Sequence, residues 1–300
     1  MAKFKLTTPV LYLVFNRLDT VKQTFLEIQK ARPSHLFIAA DGPRTKEERI
    51  KTDAVRKYIL DNINWKCEVK TLFRKRNLGC EYACKNAITW FFENTKMGII
   101  LEDDCLPDQS FFRFCQEILE KYKDNNKVVS INGLSEAATG KGNSYDFSKI
   151  IRLWGWASWS RAWNGIYQKE EEYLMNQTDP LKYLKEVFPN FFERVLFEKR
   201  FLNYVNHRAN TWEFPWFLGI VRAKGLNVVP NVNLVENIGV DEEYTNTHPN
   251  FIDKVFLVFK RNKLKFPLKH PKDIKLNPSI HRRFIFRDWI RIILKKVLFI

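Results

Sequence analysis

Three consecutive carboxylates, Glu102, Asp103 and Asp104, directly follow the apolar run at residues 99–101. Like charges this close repel one another, and the end of a buried strand is an unfavourable place for them without a partner. Mg²⁺ or Mn²⁺ could be that partner, because these ions bind through one or two carboxylates while substrate phosphates fill other positions. A metal that bridges a diphosphate also stabilises it as a leaving group. The turn is therefore either a metal–diphosphate site or a solvated acidic turn.

The elements that would position this turn alternate between short apolar runs and helical segments. The pattern predicts strands at residues 9–15, 36–40, 68–73 and 98–101, and helices at residues 20–31, 46–62 and 79–94. This alternation predicts an α/β fold with a doubly wound, mostly parallel sheet. Ligands bind beyond the carboxyl ends of the strands in such sheets. Asn16, Arg17, Asp41 and the acidic turn all follow predicted strands, so we expect them to gather on one rim.

The pattern next predicts a helix at residues 111–122 and a strand at residues 128–131. After residue 144 the alternation of strands and helices is lost, and the pattern predicts helices within 180–206 and at 214–223 and a strand at 226–229. Trp154, Trp156, Trp159 and Trp163 crowd into ten residues before these helices. Such a cluster can stack on sugar faces or fill a core, and the sequence leaves both interpretations open.

The net charge of +16 is concentrated at the end of the chain. Residues 251–300 hold 14 Lys and Arg against 3 Asp, a net of +11, whereas residues 1–250 hold 36 cations against 31 acids, a net of +5. This distribution argues against a nucleic-acid groove over the whole protein, so no nucleic-acid partner is expected.

The cysteines and the hydropathy pattern predict a cytoplasmic location. Five cysteines form neither a paired framework nor a zinc pattern, which indicates reduced thiols. Cys80 and Cys84 fall on a predicted helix, where we expect them in the core. The sequence predicts no signal peptide and no transmembrane helix.

Several short motifs occur in a fixed order along residues 8–250. They are Phe15-Asn-Arg17, Arg76-Asn-Leu-Gly-Cys80, Ile99-Ile-Leu-Glu-Asp-Asp-Cys-Leu-Pro107, Ile131-Asn-Gly133, Leu153-Trp-Gly-Trp-Ala-Ser-Trp159, Pro230-Asn-Val-Asn-Leu-Val-Glu-Asn-Ile-Gly239 and Thr247-His248. In this combination the chain resembles the GT-A glycosyltransferases, and among them a bacterial sugar-transferase group related to family-2 and N-acetylglucosaminyltransferase I-like enzymes. The resemblance implies a GT-A domain at residues 1–250 that uses a nucleotide sugar as donor.

The resemblance assigns the donor nucleotide to the loops after the first two strands. Phe15, Asn16 and Arg17 would border the base and ribose, and Asp41 would accept a hydrogen bond from a pyrimidine ring N–H. A UDP-sugar is therefore the first expectation. The alternative for Asp41 is a simple Asp-Gly-Pro turn.

The resemblance extends the donor site to a third loop and a later strand. Arg76 and Asn77 would lie beside the nucleotide, and Gly79 would let the backbone turn closely. The alternative for Arg76 is one solvated charge in a basic run. Asn132 would approach the donor sugar.

The metal motif of the family is usually two acids separated by one residue. By that match Asp104 would bind Mn²⁺ or Mg²⁺, Asp103 would face the ribose or sugar, and Glu102 would be structural. His248 matches a C-terminal histidine that many GT-A enzymes return to the metal, and neutral imidazole suits Mn²⁺. A surface histidine is the alternative.

Glu213 lies in the aromatic segment at residues 211–216. An inverting transferase needs a carboxylate to take the proton of the attacking hydroxyl, and aromatic surroundings can raise the pKa of a carboxyl toward the working pH. We expect Glu213 to be this base, although the family commonly has Asp there. The alternative is an exposed glutamate at a helix start. Trp154 and Trp156 would frame the acceptor.

The last segment, residues 282–300, has the pattern of an amphipathic basic helix. Arg283, Arg287, Arg291 and Lys295 recur every four residues and form one stripe, with apolar residues mostly elsewhere. This pattern favours a helix that lies on an anionic membrane surface, within a basic tail at residues 251–300. The alternative is a helix docked on the protein with a solvated basic face.

These features together predict a metal-dependent, inverting glycosyltransferase that acts on a hydroxyl of a cell-surface glycan or lipid-linked acceptor, peripheral on the inner face of the cell membrane. A nucleotidyltransferase acting on a nucleoside triphosphate is one alternative. It usually carries a glycine-rich loop after its first strand, and residues 16–19 contain no glycine. A non-catalytic membrane or nucleic-acid binding module is another, but it leaves the acidic turn without a role.

Overall fold

The computed structural model describes residues 4–136, 142–176, 179–206, 211–239 and 259–297. The strands are β1 (Val10–Val14), β2 (His35–Ala40), β3 (Glu68–Phe73), β4 (Met97–Glu102), β5 (Cys105–Pro107), β6 (Val128–Asn132), β7 (Tyr145–Ser148), β8 (Trp156–Trp159), β9 (Leu226–Pro230) and β10 (Val235–Asn237). The helices are α1 (Leu18–Ala31), α2 (Lys46–Asp61), α3 (Cys80–Asn94), α4 (Gln109–Lys121), α5 (Ser160–Ala162), a π-helical turn (Trp163–Tyr167), α6 (Gln168–Met175), α7 (Pro180–Val187), α8 (Phe191–Val205), α9 (Glu213–Arg222) and α10 (Pro278–Val297).

An eight-stranded sheet forms the centre of the fold, in the order β3-β2-β1-β4-β8-β6-β9-β7. The first four strands are mutually parallel, β6 and β9 run in the same direction, and β8 and β7 are antiparallel to their neighbours. The predicted doubly wound, mostly parallel α/β sheet is confirmed. A separate two-stranded sheet pairs β5 with β10.

Helices cover both faces of the parallel strands. In β1, Leu11 and Leu13 belong to the core beneath α3, α8 and α9, whereas Val10, Tyr12 and Val14 belong to the core beneath α1, α2 and α4. A strand that is buried on both faces must be apolar along its whole length. This explains the continuous apolar run that first identified β1 in the sequence.

The tryptophan-rich segment forms β8, which lies inside the sheet between β4 and β6. Trp156 is fully buried and stacks on Trp212, with ring centroids 5.8 Å apart. Trp156 therefore has no free face for a sugar, and its predicted role in acceptor binding is wrong. Trp156 lies in the core because it belongs to a central strand whose neighbours are apolar.

The described part of the basic tail, residues 259–297, packs against the rest of the protein. Residues 259–277 run along α4 and β7, where the backbone N–H of Leu264 donates to Ser110 Oγ at 2.9 Å and that of Asn277 donates to Phe147 O at 2.9 Å. Helix α10 then buries Ile280 and Phe284 in the core that contains α8. No helix in the described ranges combines the length and hydropathy of a membrane span.

Part of the predicted basic stripe on α10 faces the protein. Arg287 Nε lies 3.9 Å from Glu136 Oε2, and its guanidinium lies over the ring of Phe259 at 4.8 Å. Asp288 on the same helix pairs with Arg152 Nη2 at 3.0 Å. The opposite side of α10 exposes Phe286, Ile293 and Val297, at 65%, 51% and 63% of their surface.

Candidate active site

A cavity of about 550 Å³ opens at the carboxyl ends of β1, β2 and β4. It lies where a doubly wound sheet binds its ligands, at the point from which the chain winds in two directions. The lining residues that the sequence had singled out for the site are Phe15, Asn16, Arg17, Asp41, Asn77, Gly79, Glu102, Asp103, Asp104, Trp154 and Glu213. Arg76, Asn132 and Trp156 do not line it. His248 lies outside the described residues.

The acidic turn lies at the end of β4, and its three carboxyl groups differ in their exposure and in their partners. The side chain of Asp103 is 6% exposed, accepts a hydrogen bond from Arg17, and also accepts one from the backbone N–H of Phe15 at 3.3 Å. The side chain of Asp104 is 16% exposed and lies 3.0 Å from Arg17 Nη2. One guanidinium thus bridges two adjacent carboxylates.

Burial dominates the electrostatics of the turn. It raises the pKa of Asp103 to about 6 even though Arg17 opposes the shift. It also raises the pKa of Glu102 well above its ordinary value, and Asp104, Cys80 and Glu213 add to the effect. The turn therefore holds more carboxyl groups than Arg17 pairs with, and burial favours the protonated forms of Glu102 and Asp103.

This donor set is chemically suited to a divalent cation that binds together with a phosphate ligand. Asp104 and Glu102 present carboxylate oxygens to the cavity, and Mg²⁺ and Mn²⁺ need only one or two such ligands when phosphate and water supply the others. No group of three His, Cys, Asp or Glu side chains in the described ranges is arranged to hold a metal by itself.

Asp41 organises the loops on the β2 side of the cavity. Its Oδ1 accepts from the backbone N–H of Gly42 at 2.8 Å, and its Oδ2 accepts from Asn77 Nδ2 at 2.9 Å. The backbone N–H of Leu78 reaches both oxygens at 3.1 Å. These bonds use most of the acceptor capacity of the carboxylate. A pyrimidine N–H would compete with these three donors for Asp41.

The loop between β3 and α3 places Asn77 and Gly79 in the wall and turns Arg76 away from it. Gly79 has a φ of 78°, in the left-handed region that glycine tolerates, and α3 begins at the next residue. Arg76 is exposed instead of lying beside the cavity. The nearby cation in the wall is Arg74, which directly follows β3.

Sequence analysis missed Arg44 and Arg74 as lining residues. Arg74 was predictable as a lining residue, because it follows β3 as Asp41 follows β2 and residues that follow parallel strands lie on one rim of the sheet. Arg44 Nε donates to Glu48 Oε2 at 3.0 Å, a contact between loop and helix that no motif signals. Cys80 and Cys84 also line the cavity. Cys80 is exposed, so its expected place in the core is wrong, whereas Cys84 is half-buried and packs against the core.

Glu213 reaches the cavity from the opposite layer, as the first residue of α9. Its side chain is 39% exposed, and its Oε2 lies 3.5 Å from Arg200 Nη2 of α8. The Arg200 guanidinium in turn lies over the ring of Phe214 at 5.0 Å. The immediate polar neighbour of Glu213 is therefore a cation, which the aromatic sequence around it did not indicate.

The remaining predicted residues divide between cavity and core. Trp154 lines the cavity. Asn132 ends β6, is fully buried, and donates from Nδ2 to Ile150 O at 3.3 Å. Asn132 therefore has no surface for the donor sugar, and its predicted approach to that sugar is wrong. Its burial follows from the position of β6 inside the sheet.

Comparison with known proteins finds no matching family model and no matching curated protein. Among solved structures, the chain is similar to the mannosyltransferase PcManGT from Pyrobaculum calidifontis in complex with GDP-Man and Mn²⁺, at a TM-score of 0.41 and 10% identity over 74% of each chain. It is also similar to TarS 1–349 from S. aureus (TM-score 0.36, 9% identity, 53% of this chain and 48% of that one). HddC from Yersinia pseudotuberculosis gives a TM-score of 0.35 at 12% identity, over 52% and 78%. All three scores are below 0.5, so the function must be argued from the site.

Proposed function

We propose that this protein is a glycosyltransferase that moves a sugar from a nucleoside-diphosphate sugar to an acceptor hydroxyl, with Mn²⁺ or Mg²⁺ as cofactor. The observation that carries the proposal is the pairing of two kinds of carboxylate in one cavity. A buried acidic turn lies at the end of β4, and the half-exposed Glu213 lies on the facing layer. One can hold a cation and a leaving group while the other accepts a proton.

The donor half of the proposal rests on charge. A diphosphate is an anion, and the carboxylate of Asp104 in the cavity would repel it unless a cation intervened. When bound, the metal would neutralise the diphosphate as it leaves. Arg74, which directly follows β3 in the facing loop, could then donate hydrogen bonds to the nucleotide beside the backbone of Gly79.

The acceptor half of the proposal rests on Glu213. Its carboxylate is open to solvent and fixed in direction by Arg200, so an incoming hydroxyl could reach it. Proton transfer to a positioned carboxylate as the hydroxyl attacks the anomeric carbon would give inversion in a single displacement. Trp154 in the same wall is positioned to pack on an acceptor sugar.

A nucleotidyltransferase would use similar acids, but the first loop disfavours it. Residues 15–17 connect β1 to α1 without a glycine, and Arg17 is tied to the acidic turn. A loop that cradles a triphosphate needs free backbone N–H groups and close approach.

The products distinguish the two reactions. We expect ³¹P NMR of the protein with UDP-, GDP-, CDP- or dTDP-sugars, Mg²⁺, and a glycan hydroxyl or water to accept the sugar, to show a released nucleoside diphosphate with one donor. The control is the same mixture with EDTA. Pyrophosphate released from a nucleoside triphosphate and a sugar 1-phosphate, with no diphosphate from any donor, would contradict the proposal.

We also propose that the acceptor is a glycan or glycolipid at an anionic membrane, on its cytoplasmic side. The exposed side of α10 carries Phe286, Ile293 and Val297 beside the exposed cations Arg282 and Lys296. This combination suits an interfacial helix. Helix α10 packs against α8, which carries the Arg200 that pairs with Glu213, so the tail lies near the acceptor side of the cavity.

A further inference from the structure

We infer that Arg17 is a built-in counter-ion of the acidic turn, which must release Asp104 before a divalent cation can bind there. The inference rests on the proposed donor site. It predicts an order of donor binding: Arg17 prevents the cation from binding alone, and it releases Asp104 when the cation and the diphosphate bind together. Arg17 would thus prevent the protein from holding a metal without its nucleotide.

The geometry that supports this inference is the bridge between Arg17 and two carboxylates. Its Nη2 contacts Asp103 Oδ1 and also lies 3.0 Å from Asp104 Oδ2. The Arg17 side chain is 18% exposed, so the positive charge is largely withdrawn from water. A cation at the same Asp104 oxygen would meet that charge at close range, where repulsion in a partly buried site is strong.

The two contacts of Arg17 differ in how easily they can be given up. Asp103 is nearly buried, and an unpaired buried carboxylate is costly, so this contact anchors the guanidinium. Asp104 is more exposed and faces the cavity, so a metal can replace Arg17 as its partner. A guanidinium has five N–H donors in a fork. Arg17 can therefore keep Asp103 and turn its other donors toward a diphosphate.

The segment after β10, Ile238 and Gly239, packs against the ion pair of Arg17 and Asp104. The backbone N–H of Ile238 donates to Asp104 O at 2.9 Å. A Cβ at Gly239 would lie 2.7 Å from Asp104 Oδ2 and 2.8 Å from Arg17 Nη1, so the backbone of Gly239 lies directly against the ion pair. The ion pair is thus enclosed by β1, β4 and the end of β10.

The inference is tested by the affinity of the full-length protein for Mn²⁺ alone, measured from the EPR signal of free Mn²⁺. We expect Arg17→Gln to bind Mn²⁺ about ten-fold more tightly than wild type, because couplings between sites of this kind are typically worth 5–150-fold. Arg17→Lys retains a charge for Asp103 but cannot form the fork, so we expect a smaller gain. The double variant Arg17→Gln/Asp104→Asn should lose the gain.

Arg113→Gln is the matched control. Arg113 also pairs with a glutamate, Glu117 at 2.7 Å, but it neither lines the cavity nor touches the acidic turn, so its removal should change Mn²⁺ affinity less than two-fold. Thermal melting identifies which variants fold. If Arg17→Gln does not fold, the Mn²⁺ affinity of Arg17→Lys decides the test.

Two outcomes separate this inference from the proposed function. If Mn²⁺ binds wild type in the presence of a nucleoside diphosphate but neither Arg17 variant tightens binding of Mn²⁺ alone, the role of Arg17 is overturned and the donor site stands. If Mn²⁺ binds none of the proteins, with or without nucleotide, the metal site itself is wrong. A purely structural Arg17 would weaken Mn²⁺ binding when replaced.

Discussion

Asp103 and Asp104 are neighbours in the chain, yet their surroundings give them different roles. Asp103 is held by Arg17 and the backbone of Phe15, and Thr24 Oγ1 donates to its carbonyl at 3.3 Å. Asp104 shares Arg17 and faces the cavity. The first is therefore part of the protein's own structure, and the second is available to a ligand.

Asp104→Asn should reduce sugar transfer by about a hundred- to a thousand-fold, the usual loss when one electrostatic stabiliser of a leaving group is removed. Stabilisation of the protein by nucleotide and Mn²⁺ should disappear with it. The measurement is initial rate together with melting temperature. Asp19→Asn is the control, because Asp19 is an exposed acid at the start of the neighbouring helix α1. Full activity in Asp104→Asn would show that the site is assigned wrongly.

Glu213→Gln should lower kcat by about 10²–10⁴-fold while nucleotide affinity stays unchanged, because a general base acts on the acceptor and not on the donor. Glutamine keeps the shape of the side chain and removes the proton acceptor. The exposed Glu172→Gln serves as a control in the same layer. Equal losses of kcat and nucleotide affinity would place Glu213 on the donor side instead.

At the scale of elements, β8 shows how a core strand can resemble a binding motif. Trp154 and Trp156 are two residues apart, but one lines the cavity and the other stacks on Trp212 beneath the sheet. Their types are identical, so composition alone does not separate them. Only the pairing of β8 with β4 and β6 does.

This difference predicts opposite consequences for two matched substitutions. Trp156→Ala should lower the free energy of unfolding by about 3–5 kcal/mol, the usual loss for a buried aromatic residue. Trp154→Ala should change unfolding much less and raise KM for the acceptor. Urea unfolding and acceptor kinetics measure the two effects. Similar destabilisation by both changes would mean that Trp154 is also a core residue.

Much of the first half of the fold could be predicted from the sequence, because buried parallel strands are continuous apolar runs between helical segments. The predicted strand at residues 36–40 lies within β2 (His35–Ala40), and all five of these residues are buried. Short strands such as β5 and β10 carry no such run, and they are fixed by contacts distant in sequence. The rim was predictable because strand ends define it. The ion pair of Arg17 and the hydrogen bonds around Asp41 were not predictable from the sequence, because both depend on tertiary distances.

For the whole molecule, the tail joins the two helical layers. Leu264 and Leu268 enter the core beneath α4, and Phe284 enters the core beneath α8. The docked-helix interpretation therefore describes one side of α10. The opposite side, with Phe286, Ile293 and Val297, is the part that remains available for a membrane.

The triple variant Phe286→Ser/Ile293→Ser/Val297→Ser should abolish binding to vesicles of phosphatidylcholine and phosphatidylglycerol, because it removes the apolar contacts of α10 with the bilayer. Wild type should bind these vesicles more strongly than pure phosphatidylcholine, and salt should weaken the binding. Vesicle sedimentation measures both. Ile50→Ser is the control, since Ile50 is 74% exposed on α2. Equal binding by the triple variant and wild type would exclude α10 as the membrane contact.

The central claim is that the acidic turn, with a divalent cation, binds a nucleoside diphosphate. The measurement that tests it most directly is thermal stability with UDP, GDP, CDP and dTDP, each with and without Mn²⁺, for wild type and Asp104→Asn. A ligand at 100 times its Kd should stabilise the folded protein by about 2.7 kcal/mol. We expect such a shift with one nucleotide, only with Mn²⁺ and only in wild type. A folded wild-type protein that no nucleotide stabilises would contradict the account and leave the acidic turn a structural feature.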